Sequence, residues 1–272
     1  MPIVCAAIAP HGGLILPEFF GSEPLAAETR TGMEELGRRF AAAQPETIFV
    51  VTAHGIAIED EFAVSGGYVA EGDLGRLGSV HQEFEVDRDL ASAIVGASRR
   101  SGVPAALVST RGSGRGGRVP LDWGCTIPLH FMGEQWENKP KVVIAGICLG
   151  LSLDQHMAFG RAIGEAASRS ERRIGYIAST DLAHNHRTQG NFTYNPAAAV
   201  SDAWMREIIQ ADDLTRLLQA NLEQAERART EGIWEILTLA GAREVTPMRG
   251  GEILSYEVPT YFGMLCAAYT IV

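Results

Sequence analysis

Four of the seven histidines lie where a change of chain direction would present an imidazole to a cleft. His11 is held between Pro10 and the pair Gly12-Gly13, a combination that forces a sharp turn and leaves the ring free to project. His54 ends the apolar run Ile48-Phe49-Val50-Val51 and is followed by Gly55. His184 and His186 share the segment Thr180-Asp181-Leu182-Ala183-His184-Asn185-His186, which again follows an apolar run. Two strand-end histidines with the same local grammar point to a shared metal, because neutral imidazole is a ligand for iron, zinc, copper and nickel.

A catalytic ion held by two histidines needs a third protein ligand and open positions. Two histidines and one carboxylate mark oxygen-using iron(II) enzymes, and the same set describes hydrolytic zinc sites. Glu231, Glu252 and Glu257 are the candidates for the carboxylate. Glu257 is expected to serve, because Val258-Pro259 follows and then the largely apolar stretch from Thr260 to Val272. A histidine that is not a ligand can take and return a proton near neutral pH. His184 is assigned that task, with Asp181 fixing its tautomer or capping the turn, and His186 either contacting substrate or packing behind the loop. His81 reads as a solvated loop residue, and His130 and His156 as structural.

These side chains need a frame. Short β-branched or apolar runs predict strands at Ile3 to Ala9, Thr47 to Ala53, Glu61 to Ser65, Ala105 to Ser109, Lys141 to Ile147, Arg173 to Ser179 and Met264 to Ile271. Helical patterns fall between them at Glu23 to Ala43, Asp87 to Ser101, Leu153 to Ser170, Pro196 to Gln210, Leu214 to Ala220 and Glu231 to Ala240. Ser152 with Gln155 predicts a capping box for the third of these helices. The alternation implies a single α/β domain over residues 1–272, with a central, mostly parallel or mixed sheet flanked by helices. In open α/β sheets ligands lie beyond the carboxyl ends of the strands, so the three histidine-bearing loops are expected to meet in one crevice. Gly72 to Glu83 and the basic, glycine-rich stretch Arg111 to Arg118 read as loops.

Composition narrows the functional classes. A formal charge of -10 with pI near 5.2 disfavours nucleic-acid binding, which draws its affinity from clustered Lys and Arg. No apolar run approaches the ~20 residues of a membrane span, and the first ten residues lack a secretory pattern, so a cytoplasmic protein is expected. The four cysteines are widely spaced and are expected to be reduced and buried.

The ordered set Ala9-Pro10-His11-Gly12, Thr52-Ala53-His54-Gly55, Asp181-Leu182-x-His184 and a late Glu257 before a Gly/Ala-rich apolar end resembles the type III extradiol ring-cleaving dioxygenase superfamily. That group contains the protocatechuate 4,5-dioxygenase catalytic subunit and the Memo-like proteins. The resemblance runs from residue 3 to residue 272 and implies one α/β domain with iron(II) held by His11, His54 and Glu257; zinc or manganese could replace iron in a purified sample. It further implies His184 as acid/base, a small aromatic diol and dioxygen as reactants, and ring opening beside the two hydroxyls. Gly12, Trp123 and Pro128 would line the substrate side. Trp123 stands where members of the family often carry a histidine that faces substrate, which puts the substrate in question. A homodimer is the commonest state for such enzymes, and some relatives use a separate small subunit. Two other readings remain open: a Memo-like metal-binding module without oxygenase turnover, and a zinc hydrolase using the same ligands.

Overall fold

The computed structural model describes residues 2–21, 25–75, 80–110 and 117–271. Eleven strands and eight α-helices are named here in chain order. The strands are β1 (Ile3–Ala9), β2 (Thr47–Thr52), β3 (Phe62–Ser65), β4 (Val69–Leu74), β5 (Val80–Glu85), β6 (Ala105–Val108), β7 (Arg118–Pro120), β8 (Lys141–Gly146), β9 (Ile174–Ser179), β10 (Met248–Glu257) and β11 (Met264–Ile271). The helices are α1 (Pro17–Phe20), α2 (Ala27–Ala43), α3 (Arg88–Arg100), α4 (Trp123–Leu129), α5 (Leu153–Ser168), α6 (Ala197–Gln210), α7 (Leu222–Ala228) and α8 (Ile233–Val245).

Eight strands form one mixed sheet in the order β10-β11-β1-β9-β2-β8-β3-β6. Its centre, β1-β9-β2-β8, is wholly parallel, and antiparallel partners close it on both sides. Central strands of this kind are apolar on both faces because helices cover both. Accordingly Phe49 and Val51 of β2 enter one core with α3, α5, α6 and α8, while Ile48 and Val50 enter the other with α2 and α4. A smaller sheet, β5-β4-β7, adds Ala70 and Phe84 to the second core. The α/β expectation therefore holds.

The predicted strands and helices recur with small shifts at their ends, and the capping box at Ser152 and Gln155 is present. The stretch from Leu214 is a 3-10 helix. Three expectations fail. Gly72 to Glu83 belongs largely to the β4 and β5 hairpin, where alternating charged residues on an exposed face disguise the strands. Arg118 opens β7, and the remainder of the basic stretch, 111–116, lies outside the described residues. The third is β10, unpredicted because Gly250, Gly251 and two register shifts interrupt its alternation.

Helices α5 and α8 pack through glycines: a Cβ on Gly160 would run into the Thr238 carbonyl, and one on Gly241 into that of Met157. This contact brings α8, and the turn preceding it, tightly against the layer beneath. All four cysteines are free and buried. Among the described residues no helix is long and apolar enough to cross a membrane.

Candidate metal centre

Sheet register sets the floor of the site. Ser179 of β9 is level with Ala9 of β1 on one side and Thr52 of β2 on the other. His11, Asp181 and His54 each lie two residues beyond that common level, so three parallel strands deliver three polar side chains to one place. The anticipated convergence of the histidine loops is observed: His11, His54, Asp181 and His184 line one cavity of about 1340 Å³.

His11 Nε2 and His54 Nε2 are 3.1 Å apart, and Glu231 Oε2 lies 3.5 Å from His11 Nε2. These three side chains form a group whose ligand atoms all fall within 4.8 Å of one another. The third member of this group is thus Glu231; the expected Glu257 is not brought to it. Glu257 ends β10, where its Oε1 accepts the Thr29 N–H at 2.6 Å in the first turn of α2, a position in which a carboxylate satisfies an otherwise unpaired helix donor. Glu252 is exposed and paired with Arg39 at 2.5 Å. Glu231 reaches the cluster because its own N–H bonds to Leu182 O and the neighbouring Thr230 bridges to Ala183, stitching the turn before α8 onto the loop after β9.

The donor set fits a cation. The Ser179 hydroxyl is directed at the Gly124 carbonyl, so its oxygen is left to accept from His11 Nδ1, 3.0 Å away. A neutral His11 consequently carries its proton on Nδ1 and its lone pair on Nε2, the form a metal requires. Glu231 Oε2 is buried without a hydrogen-bond partner, an arrangement that costs free energy unless something positive is bound there. Burial alone would lower the His11 pKa, yet the carboxylates of Asp181, Glu231 and Glu235 outweigh it and raise it to about 9. The surroundings call for positive charge at this spot, as a proton or as a metal ion. Burial, and then the nearness of His11, lowers His54 to about 4. Burial works against ionisation of Glu231, but its three histidine neighbours hold it below the ordinary carboxylate range.

His184 stands at the edge of the cluster, with Nε2 3.8 Å from Glu231 Oε1. Its Nδ1 faces the Arg229 carbonyl at 3.1 Å; since a carbonyl only accepts, Nδ1 carries the proton and Nε2 is left as a base. The tautomer is therefore set by Arg229, and not by Asp181, whose Oδ1 accepts from the His11 N–H at 3.2 Å. Asp181 is fully buried, and burial raises its pKa.

His186 points away from the cavity: its Nε2 lies 2.7 Å from Asp202 Oδ2, which also accepts from the Tyr256 hydroxyl. Asp202 Oδ1 accepts from the Ala183 N–H, so this trio around the buried Asp202 anchors the loop that bears His184. Trp123 lines the cavity and lies against His54, with ring centroids 4.4 Å apart. Gly12 also lines it; a Cβ there would meet the Phe262 ring at 2.5 Å, so only glycine lets that ring seat. Pro128 is buried inside α4 and is no part of the lining.

Several lining residues escaped sequence reasoning. Phe192, Tyr261 and Phe262 form an aromatic wall around His184, with Phe192 and Tyr261 stacked at 4.3 Å. Glu235 lies one helical turn after Glu231; burial, and then the Glu231 charge, pushes it up to about 8. The Thr230-Glu231-Gly232 turn before an apolar helix was the available signal for both acids. His156 is buried against Phe62 and His130 is half-buried against Phe19, as expected; His81 is exposed beside Asp73, but on strand β5 and not in a loop. A second acidic grouping, Glu71, His81 and Glu83, lies on the small sheet with Arg118 already among its carboxylates.

The sequence model for the catalytic LigB subunit of aromatic ring-opening dioxygenases matches residues 5–264. The chain belongs to this family. A Clostridium acetobutylicum relative, Protein CA_C1420, is 26% identical over 254 residues, which cover 92% of this chain and 54% of that protein. The LigB-family chain thus spans about half the length of this curated relative. The crystal structure of the uncharacterized protein JW3007 from Escherichia coli K12 superposes with a TM-score of 0.63 at 19% identity, covering 97% of this chain and 99% of that one. That likeness establishes a shared fold.

Proposed function

We propose that the protein is an iron(II)-dependent extradiol dioxygenase that opens an aromatic diol beside its hydroxyls, with His11, His54 and Glu231 as the metal ligands. The observation that carries this reading is the cluster itself. Two imidazoles and one carboxylate, the last with an unpartnered buried oxygen, lie on the floor of an apolar cavity with a base at its edge. When bound, iron(II) supplies the one-electron chemistry that dioxygen requires.

The chain's own residues do the remaining work. In the neutral imidazole, with Nδ1–H held on the Arg229 carbonyl, His184 Nε2 carries the lone pair that takes a hydroxyl proton from the diol and later returns it. The aromatic wall of Phe192, Tyr261 and Phe262 orients the ring and excludes water. Ser179 keeps the His11 lone pair directed at the cluster, and Asp181 holds the His11 backbone in place. Anaerobic loading with iron(II), followed by a panel of catechols and admission of oxygen, should give ring-opened products with one dioxygen consumed per ring. Oxygen uptake absent with every diol, while iron is verified in the site, would overturn the proposal.

A Memo-like reading, metal binding without turnover, draws support from Trp123, which covers His54 with an indole that cannot exchange a proton. It predicts metal uptake with a silent oxygen electrode. Zinc-restored activity indifferent to oxygen would instead favour a hydrolase.

A further inference from the structure

Ser201 and Asp202 are neighbours on α6 and both are buried, yet neither lines the cavity. A carboxylate withdrawn from water persists where its lone pairs are matched. Asp202 meets three donors: the Ala183 N–H at 2.9 Å, His186 Nε2 at 2.7 Å and the Tyr256 hydroxyl at 2.9 Å. Two of these flank His184 in the chain, and the third lies at the end of β10. Burial, and then the Asp202 charge, pushes the Tyr256 phenol up, so it stays a donor. Gly263 leaves the space that Asp202 Oδ2 occupies, since a Cβ there would collide with it. The Gly263 N–H in turn donates to the Ala183 carbonyl at 3.0 Å.

Ser201 holds the other side of the same junction. Its Oγ lies 2.6 Å from Thr230 Oγ1, on the residue immediately before Glu231, and Thr230 pairs with Ala183 in an isolated bridge. Ala198, one turn earlier on α6, packs with Ala183 and Ala228, so small side chains bring the helix close to both loops. The base and the ligand acid are therefore tied to adjacent residues of one helix. This spacing has little tolerance. His184 Nε2 and Glu231 Oε1 are 3.8 Å apart, and a misplacement of about 1 Å at a reacting group costs roughly 100-fold in rate.

We propose that Asp202 and Ser201 are positioning residues that set the spacing of the His184 base and the Glu231 ligand. Asp202 acts through the loop on both sides of His184, and Ser201 acts through Thr230. This deepens the reading given under Proposed function and rests on it for the roles of His184 and Glu231. A helix is a stiffer support than either loop alone, which is what a site needs when its groups come from irregular segments.

Near-isosteric variants separate this from general support of the fold. Asp202→Asn keeps the volume and an acceptor for Ala183 but turns an amide donor toward His186 and Tyr256, while Ser201→Ala removes only a hydroxyl. In the metal-free protein, long-range proton–nitrogen NMR should show His184 as the Nδ1–H form in wild type and Ser201→Ala, and as a mixture of tautomers in Asp202→Asn. Iron(II) affinity, read by dye competition, should fall roughly tenfold or more in Ser201→Ala and less than about threefold in Asp202→Asn. With iron and catechol, kcat should drop roughly tenfold or more in Asp202→Asn while KM hardly moves. Tyr256→Phe, which removes one of the three donors, should repeat the Asp202→Asn pattern at smaller amplitude. A His184 tautomer unchanged in both Asp202→Asn and Tyr256→Phe overturns the proposal. So does iron affinity lost equally in Asp202→Asn and Ser201→Ala, the mark of a merely structural role. The NMR and metal titrations need no turnover: the split in them with a silent oxygen electrode keeps the positioning and removes the dioxygenase, and turnover without the split does the reverse.

Discussion

The same parallel strands end in two very different ways. At their amino ends the buried Asp87 carboxylate is fully answered. Asp87 accepts from the Thr47 hydroxyl and the Leu90 N–H and pairs with Arg172 at 2.8 Å, while Lys141 N and Arg173 N bond to Glu46. At their carboxyl ends His11, His54 and Glu231 crowd together, and a carboxylate oxygen is left without a donor. One end is arranged for the folded chain alone, the other for something the chain must bind, and the difference teaches where stability has been given up for function.

The largest effect should come from removing the unmatched acid. Glu231→Ala should weaken iron(II) affinity by roughly 100-fold or more, measured by competition with a chelating dye, with any loss of metal-free stability confined to its ion pair with His11. A marked destabilisation instead would place Glu231 with the structural acids. Ser179→Ala frees the His11 tautomer and should cost roughly 10- to 100-fold in the same titration. Unchanged affinity would show that the Ser179 contact does not orient the ligand.

Asp87 sharpens the contrast from the other end. Burial opposes its ionisation, but the Thr47 hydroxyl, the Leu90 N–H and Arg172 hold its pKa below the ordinary carboxylate value. A depressed folded pKa stabilises above the unfolded value, and that contribution is lost as pH falls through the folded one. Asp87→Asn should therefore cost about 1 to 3 kcal/mol in urea titrations near neutral pH, and the gap to wild type should close below roughly pH 4. A gap independent of pH would remove the charge from the explanation. The smallest effect is expected at Glu257: its alanine variant should lose about 1 kcal/mol, as for other helix-capping groups, with iron affinity intact. Loss of iron binding there would restore Glu257 as a ligand.

What could be read from the sequence follows the same division. β1, β2 and β9 announce themselves because strand, turn and histidine are adjacent in the chain, so their meeting follows from parallel pairing alone. The carboxylate was harder. Glu231 is placed by main-chain bonds to Leu182 and the Thr230–Ala183 bridge, partners almost fifty residues away that carry no local pattern. Glu257 looked suitable because the glycines and bulges of β10 hid a strand that commits it to α2. Arg229 was invisible for a related reason: it acts through a carbonyl that a left-handed turn after α7 turns toward His184.

The glycine contact between α5 and α8 gives the centre a vulnerability outside the cavity. Gly160→Ala would act as a wedge between two packed helices, and the movable one begins two residues after Glu231. A lesion there could silence the protein while every residue that touches metal or substrate stays intact, so an inactive relative need not have lost any of them.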